Sequence, residues 1–137
     1  MVIHCSKTNQ GISMAKKHES ARKGYHSIIY IDGSVSMLQL PHSIYFYDDF
    51  NDSPLDELNG KTKHIILEGG INNEGNYKNN FSWKQWDALD VIVRYHILIN
   101  NEIKILGANQ INETESPSFN VQQWLKDMEI RKDNIYG

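Results

Sequence analysis

Short apolar runs of strand character alternate with segments of helical periodicity along this chain, and that alternation limits its fold more than any other feature. Val2 to Ser6 reads as an opening strand. Ser13 is placed to cap a helix that runs to about Arg22 and stops at Gly24. Tyr25 to Ile31 is β-branched and aromatic, Asp32-Gly33 interrupts, and Ser34 to Leu40 alternates polar and apolar; Asp-Gly between two such runs signals a hairpin. His64 to Glu68 is a continuous apolar strand ending in Gly69-Gly70. Ser82 opens the best-specified helix. Ser82 and Gln85 have capping-box spacing, Phe81 and Trp86 hold the staple positions, and Trp86, Leu89, Val93 and Ile97 recur at three- and four-residue intervals. Glu102 to Leu106 reads as another strand, and Val121 to about Arg131 as a closing helix with Val121, Trp124, Leu125 and Met128 inward. The predicted fold class is α/β: a central mixed β-sheet flanked by helices, in a single domain over 1–137.

Composition narrows the function classes. A chain of 137 residues supports one real core. With 14 Lys+Arg against 17 Asp+Glu it has no general electrostatic attraction for DNA or RNA duplexes, which is won by neutralising phosphates. Cys5 stands alone, so no internal disulfide framework is expected. No apolar run approaches the roughly 20 residues of a membrane span. The start M-V-I-H-C-S lacks the basic-then-apolar pattern of a signal peptide. The expectation is a cytoplasmic protein with no membrane partner.

Four strings occur in one order: I-H-C-S at 3–6; G-Y-H-S-I-I at 24–29 with D-G at 32–33; E-G-G-I-N-N-E-G-N-Y at 68–77; S-P-S-F-N-V-Q-Q-W at 116–124. Together they resemble the phage-type N-acetylmuramoyl-L-alanine amidases, the zinc-dependent family shared with peptidoglycan recognition proteins. The resemblance covers essentially the whole chain. It implies that fold and a groove at one sheet edge holding zinc on two His and a Cys, with a Tyr and a Lys assisting attack of zinc-bound water on an amide. Carried over position by position, His4 matches the first ligand and Tyr25 the catalytic Tyr. The second ligand position falls on Ala108, the third on Ser116, and the Lys position on Thr114, while the intact P-S-F string fixes the register.

These departures have a direct chemical meaning. Catalytic zinc takes three protein ligands and one open position. Ala108 has no donor atom, and a serine hydroxyl is a far weaker ligand than thiolate or imidazole. Without the ion, water keeps a pKa near 15.7 and supplies no hydroxide at neutral pH. The expectation is therefore no metal, no cofactor and no catalytic residue, His4 and Tyr25 being vestigial. His18, His26, His42, His64 and His96 show no paired-ligand spacing and read as surface or satisfied core histidines. Cys5 and His4 are strand neighbours that point to opposite faces, so no Cys–His nucleophile is expected. The acidic run from Asp48 to Glu57 lacks EF-hand spacing, and the glycines at 69, 70 and 75 lack the dinucleotide-binding arrangement. Tyr45, Phe46, Tyr47 and Phe50 form an aromatic cluster where the resembling enzymes carry a short loop.

The leading expectation is a catalytically inactive amidase-fold protein that binds a small ligand in the former substrate groove. That groove would be lined by His4, Tyr25, Ala108, Thr114, Ser116, Tyr45 and Tyr47. The ligand would be muropeptide-like or, given the aromatic cluster, nucleotide-like, as in a phage-derived decoy or sequestering protein. Two alternatives stay open: a protein-binding regulatory module, and an active amidase with a non-standard site.

Overall fold

The computed structural model describes residues 1–7, 27–37 and 62–137. The expected first helix (13–22) and the long loop (41–61) lie outside the described residues. Strands β1 (Val2–Cys5), β2 (Ser27–Ile29), β3 (Val35–Met37), β4 (His64–Leu67) and β5 (Leu106–Gly107) form one sheet in the order β3-β2-β4-β1-β5. β1 runs parallel to β4 and β5, β2 parallel to β4, and β3 antiparallel to β2, which makes the sheet mixed. The Asp32-Gly33 turn joins β2 to β3 as its sequence requires: Gly33 takes φ +83°, and the Asp32 side chain accepts from the Ser34 N–H at 2.9 Å.

Every residue of β1, β2 and β4 is buried, as expected of central strands covered on both faces. One face carries Ile3, Ile29, Ile65 and Leu67 against α1 (Trp83–Ile99) and α2 (Val121–Asp127), through Leu89, Val93, Val121 and Leu125. The other face carries Val2, Ile28, Ile66 and Leu106, joined by Ala108.

The start of α1 is built as its sequence predicts. The Gln85 N–H donates to the Ser82 hydroxyl, the Ser82 N–H donates to Gln85 Oε1, and Phe81 meets Trp86 edge-on at 5.6 Å. Gln85 does more than cap. It is fully buried, and its amide donates to the carbonyls of Ile29 at 3.2 Å and Glu68 at 2.8 Å, bolting the helix to the ends of β2 and β4.

Two expected boundaries shift. α2 stops at Asp127 because Glu129 adopts φ +59° and the Ile130 N–H returns to the Leu125 carbonyl, a Schellman-type ending that turns Ile130 into the core. The strand expected over Glu102–Leu106 is only Leu106–Gly107. Ile105 pairs instead with the chain end, donating to the Asn134 carbonyl, while the side chain of buried Asn134 donates to the carbonyls of Asn101 and Ile103. Among the described residues no helix is long and apolar enough to cross a membrane.

Candidate functional site

β1 delivers His4 to the sheet face opposite the helices. Its imidazole is 4% exposed, and its Nε2 lies 3.0 Å from Nδ1 of His64, with the two rings tilted by 42°. The parallel register sets His4 opposite Ile66, so His64 sits one same-face step nearer the strand start and the two rings meet diagonally. Burial, with a smaller push from the Lys7 charge, lowers the His4 pKa from 6.5 to about 3.

This has a consequence for acid stability. Between pH 6.5 and about 3 the unfolded chain binds a proton at His4 and the folded chain does not, so stability falls as pH falls through that window. From pH 7 to pH 5 the expected loss from this group is about 2 kcal/mol. Urea midpoints at the two pH values check it: His4→Gln should show a smaller drop than the parent, and an equal drop would contradict the assignment.

Ala108 opens a 3-10 turn (Ala108–Gln110) directly after β5, and its methyl packs with Val2, Ile66 and Leu106 on the His4 side of the sheet. Buried Ser116 accepts the Cys5 backbone N–H on its hydroxyl at 2.9 Å. Thr114 accepts the Ser116 N–H at 3.1 Å, and its hydroxyl lies 3.4 Å from that of Tyr77. Ala108 and Ser116 thus sit beside the end of β1 that carries His4. Tyr25, Tyr45 and Tyr47 lie outside the described residues. Cys5 turns to the other face, where its thiol lies 3.8 Å from the Ser118 hydroxyl. His96 is buried on α1 and donates Nδ1 to the Ile92 carbonyl of its own helix at 2.8 Å.

Among the described residues, the donors beside His4 do not make up a zinc set. One imidazole nitrogen is directed at His64, Ala108 offers nothing, and the Ser116 hydroxyl is already engaged by Cys5. Among the described residues no three His, Cys, Asp or Glu side chains are grouped to hold a metal ion.

A cleft of about 380 Å³ opens along the same loop, lined by Tyr77, Lys78, Asn109, Thr114, Ser118 and Phe119 among others. Its volume is within the range of ligand sites. Of the carried-over positions among the described residues, only Thr114 lines it. Tyr77, Asn109 and Ser118 are not singled out by the sequence, although Tyr77 and Ser118 lie in strings that carry the resemblance and Asn109 follows the carried-over position Ala108. The sequence reads His64 as a surface or satisfied core histidine and does not show its pairing with His4. The available signal was two histidines in the same phase of two buried parallel strands.

Comparison with known proteins places this geometry. No protein-family model matches the chain. An endolysin of Enterobacteria phage K11 is 25% identical over 136 residues, covering 93% of this chain and 85% of that protein. The amidase LysC from Clostridium intestinale superposes with a TM-score of 0.68 at 20% identity, over 95% of this chain and 84% of LysC. The fold is that of the phage amidases and peptidoglycan recognition proteins. Another solved structure of similar fold is the ectodomain complex of peptidoglycan recognition proteins LCa and LCx, with tracheal cytotoxin bound. It matches at a TM-score of 0.64 and 14% identity, over 98% of this chain and 82% of that one.

Proposed function

We propose that this chain is a catalytically silent, metal-free binder built on the amidase fold, and that the cleft beside residues 109–119 takes a muropeptide-like ligand. The observation that carries the reading is the loss of donors around His4: its imidazole is bonded to His64, and the two positions that should complete a zinc site hold a methyl group and an engaged hydroxyl. The cleft retains mixed chemistry suited to a short peptide on an acetamido sugar. Lys78 and Glu115 bring opposite charges, Asn79 and Asn109 bring amides, and Phe119 brings an apolar wall. That a protein of the same fold holds tracheal cytotoxin supports this ligand class. The nucleotide-like alternative leaned on the aromatic cluster at 45–50, outside the described residues.

A muramyl tripeptide is the probe. At 100 times its Kd it should stabilise the protein by about 2.7 kcal/mol in thermal unfolding, and Tyr77→Ala should abolish most of that shift. Purified protein should carry no stoichiometric zinc and should leave cell walls intact on a zymogram. Stoichiometric zinc together with wall lysis would overturn the reading. A constructive check restores the missing donors: Ala108→His combined with Ser116→Cys should acquire cobalt(II) with a thiolate charge-transfer band, which the parent should lack.

A further inference from the structure

The loop that resembles the metal-bearing loop of the zinc enzymes is anchored to β1 by other means. We propose that His64 and Ser116 form a metal-free clasp that replaces the ion as the tie at the end of β1, and that this clasp positions the cleft wall carrying Thr114 and Ser118. The inference deepens the binding reading and rests on it for the importance of that wall.

The argument begins with which way the β1 amides point. The N–H groups of Val2 and Ser6 donate to the carbonyls of Lys63 and Leu67, so the even-numbered amides face β4. The odd-numbered positions face β5, where the Leu106 N–H donates to the Met1 carbonyl. β5 ends at Gly107, opposite Ile3, and the chain then turns away into the 3-10 segment. The Cys5 N–H therefore emerges beyond its neighbouring strand, inside the protein. A buried N–H left there would cost about 1–3 kcal/mol. The Ser116 hydroxyl meets it at 2.9 Å. Two residues on, the Ser118 hydroxyl donates to the Gly70 carbonyl at 2.7 Å, tying the same loop to the end of β4. On the other side of β1, His64 holds the His4 ring from β4. Together these bonds join β1, β4 and the loop, the elements a metal on His4 and the loop would otherwise have to join. Thr114 and Ser118, held on either side of Ser116, present their side chains to the cleft.

The test uses the full chain with metal content measured before and after dialysis against EDTA, then amide exchange and imidazole nitrogen spectra. Chelation should leave Tm unchanged. Ser116→Ala should speed exchange of the Cys5 amide by about five- to tenfold while the mid-α1 amides keep their protection, and it should shift the Tyr77 ring signals; Ser116→Thr should restore both. His64→Gln, which offers a donor and an acceptor, should preserve the His4 tautomer, and His64→Leu should change it. Should His64→Leu fail to fold, the serine pair carries the test alone. Unchanged Cys5 exchange in metal-free Ser116→Ala would overturn the clasp and leave the binding reading standing. A Tm that drops on chelation with release of a bound ion would overturn both.

Discussion

Gly70→Ala is expected to cost about 3–5 kcal/mol, combining backbone strain with overpacking. Gly70 sits at φ +93°, where a side chain is strained whatever the surrounding space. A methyl placed there would lie 2.5 Å from the Cys5 sulfur and 2.7 Å from its Cβ, both on a central strand that cannot step aside. For a chain of this length, each kcal/mol lowers Tm by roughly 3–4 °C, so a fall of about 9–20 °C is expected in calorimetry. Cys5→Ala removes the nearer of the two contacts. Combined with Gly70→Ala it should recover about 1 kcal/mol relative to the sum of the single changes. Strict additivity would mean that the sulfur contact contributes nothing and would leave the penalty to the backbone and the 2.7 Å Cβ contact.

Gln85→Leu is the second large effect. The leucine fits the volume but takes the amide donor from the Glu68 carbonyl and the acceptor from the Ser82 N–H, while the Ile29 carbonyl keeps the Glu68 N–H at 2.9 Å. At about 1–3 kcal/mol for each of the two groups left unsatisfied, a loss of about 2–6 kcal/mol is expected. Gln85→Glu separates the two roles. It keeps the oxygen that caps Ser82 and turns a carboxylate oxygen toward two carbonyls, so it should be at least as damaging as leucine at neutral pH. Its buried carboxyl should be held protonated to a higher pH in the folded protein than in the unfolded chain. Part of the stability should therefore be present in mild acid and vanish as pH rises, the opposite trend to that expected for His4. Denaturant midpoints across pH 4 to 8 distinguish these variants. A leucine variant within 1 kcal/mol of the parent would mean the bolt between α1 and the strand ends contributes little.

How far such features are legible in the sequence depends on the range of the interaction that makes them. The Asp32-Gly33 hairpin, the Ser82–Gln85 capping box and the Leu89–Val93 stripe are local, with every partner within a few residues, and all three are present. The mixed sheet also follows from local pattern, because buried runs such as Ile65–Leu67 cannot settle on an exposed edge. The second role of Gln85 has no local signal, since its carbonyl partners lie 56 and 17 residues away. The His4–His64 pair, 60 residues apart, depends on the register of two parallel strands, which the sequence leaves open. The short β5 is similar: Asn134, from the far end of the chain, takes up the backbone groups that a longer strand would have used. At the site, residue type was readable at His4 from the I-H-C-S string and at Ala108, Thr114 and Ser116 from their spacing to the P-S-F string. The engagement of the Ser116 hydroxyl with Cys5, 111 residues away, was not.

That engagement makes position 116 intolerant of the larger sulfur ligand. Cysteine there would trade a good acceptor for a poor one and leave the β1 amide without its partner. Histidine at position 108 would have to displace a methyl seated among Val2, Ile66 and Leu106. Either substitution made alone is expected to lower stability, so a histidine and a cysteine at these positions would have to be introduced together with compensating changes.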